Sequence, residues 1–213
     1  MRQSRPVFIK IGDVLVTQGN LSAALAGFRA AHVTFDRLAK ADPNHAGWQR
    51  DLSGSHNKIG DVLVAQGNLP AALDSYRAAH TIFDRLATAY AGHAGWQRDL
   101  SESHIKIGGV LVAQGHLQAA LASFRAALAI VDRLAQADPT NAEWQHDVAL
   151  SLQRIGLVAV QQSQRNDALV AYRHGLEIMH RLVRLAPDRA AFRRDLAWFE
   201  LRVKELSKAP GLN

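Results

Sequence analysis

Ten histidines and a recurring Ser-x-Ser-His run are the residues that could do chemistry in this chain of 213 residues. A histidine four residues from a carboxylate on one helix can bind zinc, and a serine beside a histidine can act as a nucleophile. His32 lies four residues before Asp36, and Ser55 directly precedes His56. Whether either arrangement has a function depends on the residues at equivalent places elsewhere in the chain.

The residues at equivalent positions of the other repeats indicate that these histidines pack in the fold and do not bind a metal or catalyse a reaction. The sequence repeats every 48 residues, which the positions of Gly12, Gly60, Gly108 and Gly156 make plain. At equivalent positions of later repeats, leucine replaces histidine. His32 and His80 correspond to Leu128 and Leu176, and His56 and His104 correspond to Leu152. The sequence also contains no cysteine, no glycine-rich phosphate loop and no Gly-x-Ser-x-Gly elbow. We therefore predict no catalytic residue, no metal site, no cofactor and no enzyme activity.

Helices must position these residues. Trp48, Leu52, Ile59 and Leu63 recur at helical steps, then Gly67-Asn68 ends one helix and can cap the next, whose stripe runs from Leu73 to Tyr90. Each period is thus predicted to form an antiparallel helical hairpin. The predicted helices span about 6–18, 21–41, 47–66, 69–90, 95–114, 117–137, 143–162, 165–185 and 189–207.

The hairpin pattern resembles the tetratricopeptide repeat (TPR). The first helix carries Ile59-Gly60 and Leu63, and the second carries Ala72, Tyr76 and Ala79, where small residues let the two helices approach closely. The period of 48 exceeds the family's usual period of about 34, so the resemblance is to a long-helix variant. It implies an all-α, right-handed α-solenoid of antiparallel helical hairpins, with about nine helices.

We expect residues 1–213 to form one such domain. Its repeats span about 1–46, 47–94, 95–142 and 143–188, followed by a capping helix at 189–207 and a frayed tail at 208–213. The first repeat lacks the Trp-Gln-Arg-Asp block, which the second and third repeats carry and the fourth carries with His146 in place of the arginine; this predicts either a divergent N-terminal cap or a fragment of a longer array. We interpret Trp48, Trp96 and Trp144 as seals between hairpins, so Trp96→Ala should cost about 3–5 kcal/mol.

The resemblance also implies a function: a non-enzymatic protein-protein interaction scaffold that binds a peptide or protein on the concave face lined by the first helices of the hairpins. The valine at position 64 recurs in every repeat while its neighbours vary, although these valines could instead contact the neighbouring helix. The candidate partner-binding residues are Asn57, Asp61, Val64, Glu102, Ile105, Val112, Gln153, Leu157 and Val160.

Charge and composition define the alternatives. The net charge of +6 comes from the ends of the chain, where Arg184, Arg189, Arg193 and Arg194 cluster, so nucleic-acid or anionic-surface binding is a disfavoured second reading. Self-association into a homo-oligomer by end stacking is another alternative. The lack of cysteine and of any long apolar run predicts a cytoplasmic protein with no membrane span.

Overall fold

The computed structural model describes residues 7–208, with side chains from Ile9 onward, and every regular element in that range is an α-helix. The helices are α1 (Val7–Thr17), α2 (Leu21–Ala41), α3 (Ala46–Ala65), α4 (Leu69–Ala89), α5 (Ala94–Ala113), α6 (Leu117–Ala137), α7 (Ala142–Gln161), α8 (Arg165–Leu185) and α9 (Ala190–Ser207). The predicted bounds agree to within one residue, and the predicted all-α helical repeat is confirmed. Pro6, predicted to start the first helix, and residues 209–213 of the predicted tail lie outside the described residues.

The chain divides into two compact units. The N-terminal unit (residues 1–114) contains α1 to α5, and the C-terminal unit (residues 115–213) contains α6 to α9. Within each unit, every helix packs against the helix that follows it in sequence. The predicted single domain of four repeats and a capping helix stays a prediction. Between residues 7 and 208, no helix combines the length and apolar character needed to cross a membrane.

The two helices of a hairpin lie close together because small residues occupy their contact, as predicted. A Cβ atom placed on Gly60 of α3 would lie 2.5 Å from Cε1 of Tyr76 in α4, so only glycine leaves room for the ring. Ala72, one turn before Tyr76, is fully buried. The same arrangement recurs in the C-terminal unit, where Gly156 faces the ring of Tyr172. The small residues of the repeat therefore set the spacing within a hairpin.

The turns follow the expected chemistry, with one exception. Gly67 adopts a φ of +77°, and the side chain of Asn68 accepts a hydrogen bond from the backbone N–H of Ala71 at 3.3 Å. Tyr90 was predicted to continue the apolar stripe of α4. This prediction is wrong: the helix ends at Ala89, the chain turns away, and the tyrosine is 45% exposed.

The Trp-Gln-Arg-Asp block ties a helix to the helix before it through its glutamine. Gln49 is buried, and its Nε2 donates to the carbonyls of Ala39 and Pro43 at 3.1 and 3.2 Å. Gln97 repeats the contact at the end of α4 by donating to the carbonyl of Ala87 at 2.9 Å, so the glutamine of the block bonds a carbonyl of the last helical turn that lacks a partner within the helix.

Candidate partner-binding groove

The N-terminal unit has an open groove of about 470 Å³ along the faces of α1, α3 and α5, which we call the A helices of this unit. Positions three or four residues apart share one face of a helix, and this spacing brings the groove's lining residues together. They include Asp51, Gly54, Asn57 and Asp61 on α3, and Asp99, Glu102 and Lys106 on α5. Phe35 and Phe83 of the neighbouring helices α2 and α4 add an apolar surface beneath.

Two lysines connect successive A helices beside this groove. Lys58 Nζ lies 2.7 Å from Asp13 Oδ1, and Lys106 Nζ lies 2.7 Å from Asp61 Oδ1. Tyr76 Oη donates a hydrogen bond of 2.7 Å to the same Asp61 oxygen, and burial together with this bond raises the pKa of the tyrosine. Each exposed ion pair contributes about 0–1 kcal/mol, so the pairs fix the spacing of the A helices more than they stabilise the fold.

Arg50 is held in the same way, one repeat away from its partner. Its Nε and Nη2 lie 2.8 and 3.1 Å from the two carboxylate oxygens of Asp99, and its guanidinium sits 5.3 Å above the ring of Trp96. Two parallel contacts from a planar guanidinium to a carboxylate give a defined geometry. The cationic head of Arg50 is therefore already committed within the protein.

Three acceptor groups in the groove have no such partner among residues 7–208. Asp51 is half-buried, and burial raises the pKa of its carboxyl. Glu102 is exposed, and no cation of the described part of the chain pairs with it. The side-chain oxygen of Asn57 is buried and, within the same part, accepts no hydrogen bond. An unsatisfied buried acceptor costs about 1–3 kcal/mol, and a bound donor would recover it.

The structure brings together only some of the predicted site residues. Asn57, Asp61 and Glu102 line the groove. Val64, Ile105 and Val112 lie on α3 and α5 but outside its lining, and Val64 is 39% exposed. The remaining three, Gln153, Leu157 and Val160, lie on α7 of the C-terminal unit. That all nine residues form one binding face stays a prediction.

Sequence reasoning did not place Arg50, Lys58 and Lys106 in the site. A signal for the lysines was present, because Asp13 and Lys58 are 45 residues apart and Asp61 and Lys106 repeat that interval. This interval is one period less about one helical turn, which is the offset expected of side chains that lean from one A helix towards the next.

The serine and histidine residues considered for catalysis form buried contacts instead. His32 Nδ1 lies 3.0 Å from Ser55 Oγ, which also donates to the carbonyl of Leu52, and the His32 ring packs edge-on against His56 at 4.5 Å. Burial and the neighbouring His32 lower the pKa of His56 to about 4. Ser55 belongs to the groove lining but has no exposed surface, and its hydroxyl connects α2 to α3 through the contact with His32.

The terminal arginines of the C-terminal unit are partly engaged with carboxylates. Arg189 pairs with Glu143, and Arg194 Nε lies 3.2 Å from an oxygen of Asp195. Arg184 contributes to a shallow depression that also contains Glu177. The cluster is therefore of mixed charge. No group of three or more potential metal ligands occurs within residues 7–208.

Solved structures with the same fold identify the repeat type. The apo form of RapI is 14% identical with a TM-score of 0.65, and the match covers 93% of this chain and 48% of RapI. A variant of a putative kinesin light chain from Podosopora anserina, with nearly identical TPR-like repeats, is 15% identical with a TM-score of 0.66, covering 93% of this chain and 89% of the other.

A third structure is the Rap conjugation gene regulator of plasmid pLS20 in complex with the Phr* peptide. It is 17% identical with a TM-score of 0.55, and the match covers 93% of this chain and 52% of the regulator. The chain thus spans about half the length of RapI and of this regulator. No protein-family model and no curated protein matches the sequence. The fold is of the TPR type.

Proposed function

We propose that this TPR-type chain is a non-enzymatic interaction scaffold that binds a peptide segment of a protein partner in the groove of the N-terminal unit. The observation that carries the proposal is the groove itself, whose volume of about 470 Å³ lies within the range of ligand-binding sites. The Phr* complex of the pLS20 regulator supports a peptide as the kind of ligand, because that protein shares the fold.

The groove fits a chain segment that presents mainly polar groups. The lining on α3 and α5 is charged or polar, and the rings of Phe35 and Phe83 behind it are each only 5% exposed. Gly54 leaves open space in the groove lining, since a Cβ built there would meet no heavy atom within 4 Å. Binding there is proposed to need no rearrangement of the helices.

A substitution at Gly54 tests the proposal without disturbing the fold. Glu102 and Leu150 occupy the equivalent positions one and two repeats later, which indicates that a helix of this repeat accepts a large side chain there. Gly54→Leu should therefore fill the groove while raising helix propensity by about 0.8–1 kcal/mol. Ala26→Leu, at an exposed position of α2, adds similar apolar bulk away from the groove and serves as the control.

The experiment is selection of a phage-displayed random peptide library on the immobilised wild-type protein. Enriched peptides are then titrated against wild type, Gly54→Leu and Ala26→Leu. We expect peptides that bind wild type and Ala26→Leu equally and bind Gly54→Leu at least tenfold more weakly. Enriched peptides that bind all three proteins equally would contradict the proposal.

The alternatives receive no comparable support. Nucleic-acid binding through the terminal arginines would require free cations, and two of the four, Arg189 and Arg194, are paired with Glu143 and Asp195. Self-association and the cytoplasmic location stay predictions.

A further inference from the structure

We infer that the peptide bound in the groove presents a lysine or arginine side chain to Asp51 and Glu102. The inference rests on the proposed function and adds the chemistry of the partner. It follows from an imbalance between donors and acceptors within the groove.

The cations that line the groove are already neutralised. Lys58 is paired with Asp13, Lys106 with Asp61, and Arg50 with Asp99, at distances of 2.7 to 2.8 Å. An anionic ligand would have to displace one of these carboxylates and leave it without a partner. An acidic peptide or a phosphate is therefore a poor match for this surface.

The acceptors are in excess. Among the described residues, seven ionisable groups line the groove, and three cations face four carboxylates there, those of Asp51, Asp61, Asp99 and Glu102. Asp61 and Asp99 are the ion-pair partners of Lys106 and Arg50. Asp51 and Glu102 form no ion pair in the described chain, and one lies on α3 while the other lies on α5. The charge of Arg50 acts on Asp51, but its guanidinium is bonded to Asp99. A cationic side chain between these helices would compensate both walls of the groove.

Burial makes the carboxylate on α3 the stronger determinant. Removing a carboxylate from water disfavours its charged form, which is why the pKa of Asp51 is raised. A bound cation reverses that penalty, so the peptide and the ionised Asp51 stabilise each other. Glu102 is exposed and contributes to attraction at longer range.

A second donor of the peptide has a target nearby. The buried side-chain oxygen of Asn57 lacks a hydrogen bond in the described chain and belongs to the same lining. This oxygen is closed off from the groove, so a ligand reaches it only after the side-chain amide of Asn57 rotates towards the groove; a backbone N–H of an extended peptide, or a second N–H of an arginine, then supplies the missing donor. We therefore expect one ligand to supply both a cation and one further N–H donor to the groove.

The test uses peptides selected on the wild-type protein and sensitive to Gly54→Leu. We expect these peptides to carry lysine or arginine at a shared position, and replacing that residue by glutamine should weaken binding about tenfold or more. The double variant Asp51→Asn with Glu102→Gln should bind the lysine and glutamine forms of the peptide equally. Asp74→Asn, at an exposed position of α4, is the matched control and should keep the difference.

A charge reversal gives a gain that misfolding cannot imitate. Selection on the double variant Asp51→Lys with Glu102→Lys, which reverses both charges, should enrich peptides with aspartate or glutamate at the shared position. Peptides that depend on Gly54 yet carry no basic residue, or that ignore the double variant, would overturn this inference and leave the proposed function standing. Finding no peptide that depends on Gly54 would overturn both.

Discussion

In the N-terminal unit Tyr76 donates its hydroxyl to Asp61, whereas in the C-terminal unit the equivalent Tyr172 finds leucine at the position of the aspartate, Leu157. Within the described part of the chain the hydroxyl of Tyr172 has no hydrogen-bond partner, although the residue is only 1% exposed. The position of Lys106 is taken by Arg202, which pairs with Glu205 instead. The same hairpin is therefore built with and without the polar contact.

The contacts between one hairpin and the next are likewise more polar in the N-terminal unit than in the C-terminal unit. His32 and His56 meet in the N-terminal unit, and Leu128 and Leu152 occupy those places in the C-terminal unit, where they belong to its apolar core. That core also contains Phe192 and Phe199, both almost fully buried. The comparison teaches that the polar residues of the N-terminal unit are dispensable for the fold, which leaves them available to shape a binding groove and its response to pH.

The largest expected difference in unfolding free energy concerns the equivalent aromatic residues near the starts of α5 and α9, Trp96 and Phe192. Phe192→Ala should lower the free energy of unfolding by about 3–5 kcal/mol, because the ring is 1% exposed within the core. Trp96 is only half-buried beneath Arg50, so we lower the expectation for Trp96→Ala to about 1–3 kcal/mol. Urea titrations followed by circular dichroism measure both. Equal losses would contradict the contrast between the two units.

The tyrosine pair should give the next largest effect. Tyr76→Phe removes a hydrogen bond to a carboxylate and should cost about 1.5–3 kcal/mol. Tyr172→Phe removes a hydroxyl that has no acceptor in the described chain and should be neutral or stabilising by up to about 1 kcal/mol. Phe28 and Phe124 at the equivalent positions show that phenylalanine fits. The same urea titrations apply, and a loss of more than about 1 kcal/mol for Tyr172→Phe would refute the assignment of an unsatisfied hydroxyl.

Acid should weaken the N-terminal unit more than the C-terminal unit. The pKa of His56 is lowered to about 4, and burial also lowers the pKa values of His80 and His104. A histidine with a lowered pKa binds its proton more readily in the unfolded state, so stability is complete above about pH 6.5 and falls as the pH drops towards 4. After allowance for solvent exposure, the loss between pH 7 and 5 should be roughly 1 kcal/mol.

Hydrogen exchange of the backbone amides, corrected for intrinsic rates, locates this effect. Protection of α2 and α3 should fall on going from pH 7 to pH 5, while protection of α6 and α7 changes less. The carboxylate of Asp36 acts on His56 and favours its charged form, so it opposes part of the loss. His32→Leu with His56→Leu copies the C-terminal unit and should flatten the dependence on pH.

The smallest effect concerns the turn after the first helix of a hairpin. Gly19, Gly67 and Gly115 have φ values between +74° and +78°, and Ser163 has a φ of +60° at the equivalent place. Ser163→Gly should stabilise the protein by about 0.5–1 kcal/mol, because an L-residue is disfavoured in this conformation. Gly67→Ala should destabilise it. Thermal unfolding resolves both signs, and a destabilising Ser163→Gly would show that the serine side chain is needed there.

The repeat period predicted the helices, because glycine, asparagine and the apolar stripes act locally along each helix. It did not predict the groove, since the pairing of Lys58 with Asp13 and of Lys106 with Asp61 depends on how neighbouring helices lean. The recurring valine at position 64 predicted a binding face of α3, but only part of that face, including Asn57 and Asp61, lines the groove. The position of a residue within the repeat therefore predicts its helix and the face on which it lies. It does not predict whether a side chain on the next helix already neutralises its charge.

The most direct test of the account is the hydrogen exchange of the protein with and without a peptide selected on it. The account predicts that the peptide slows exchange in α3 and α5 around residues 51–61 and 99–106, where the groove lies. In Gly54→Leu the same peptide should leave these rates unchanged. Slowed exchange confined to α7, α8 and α9 of the C-terminal unit would contradict the assignment of the groove.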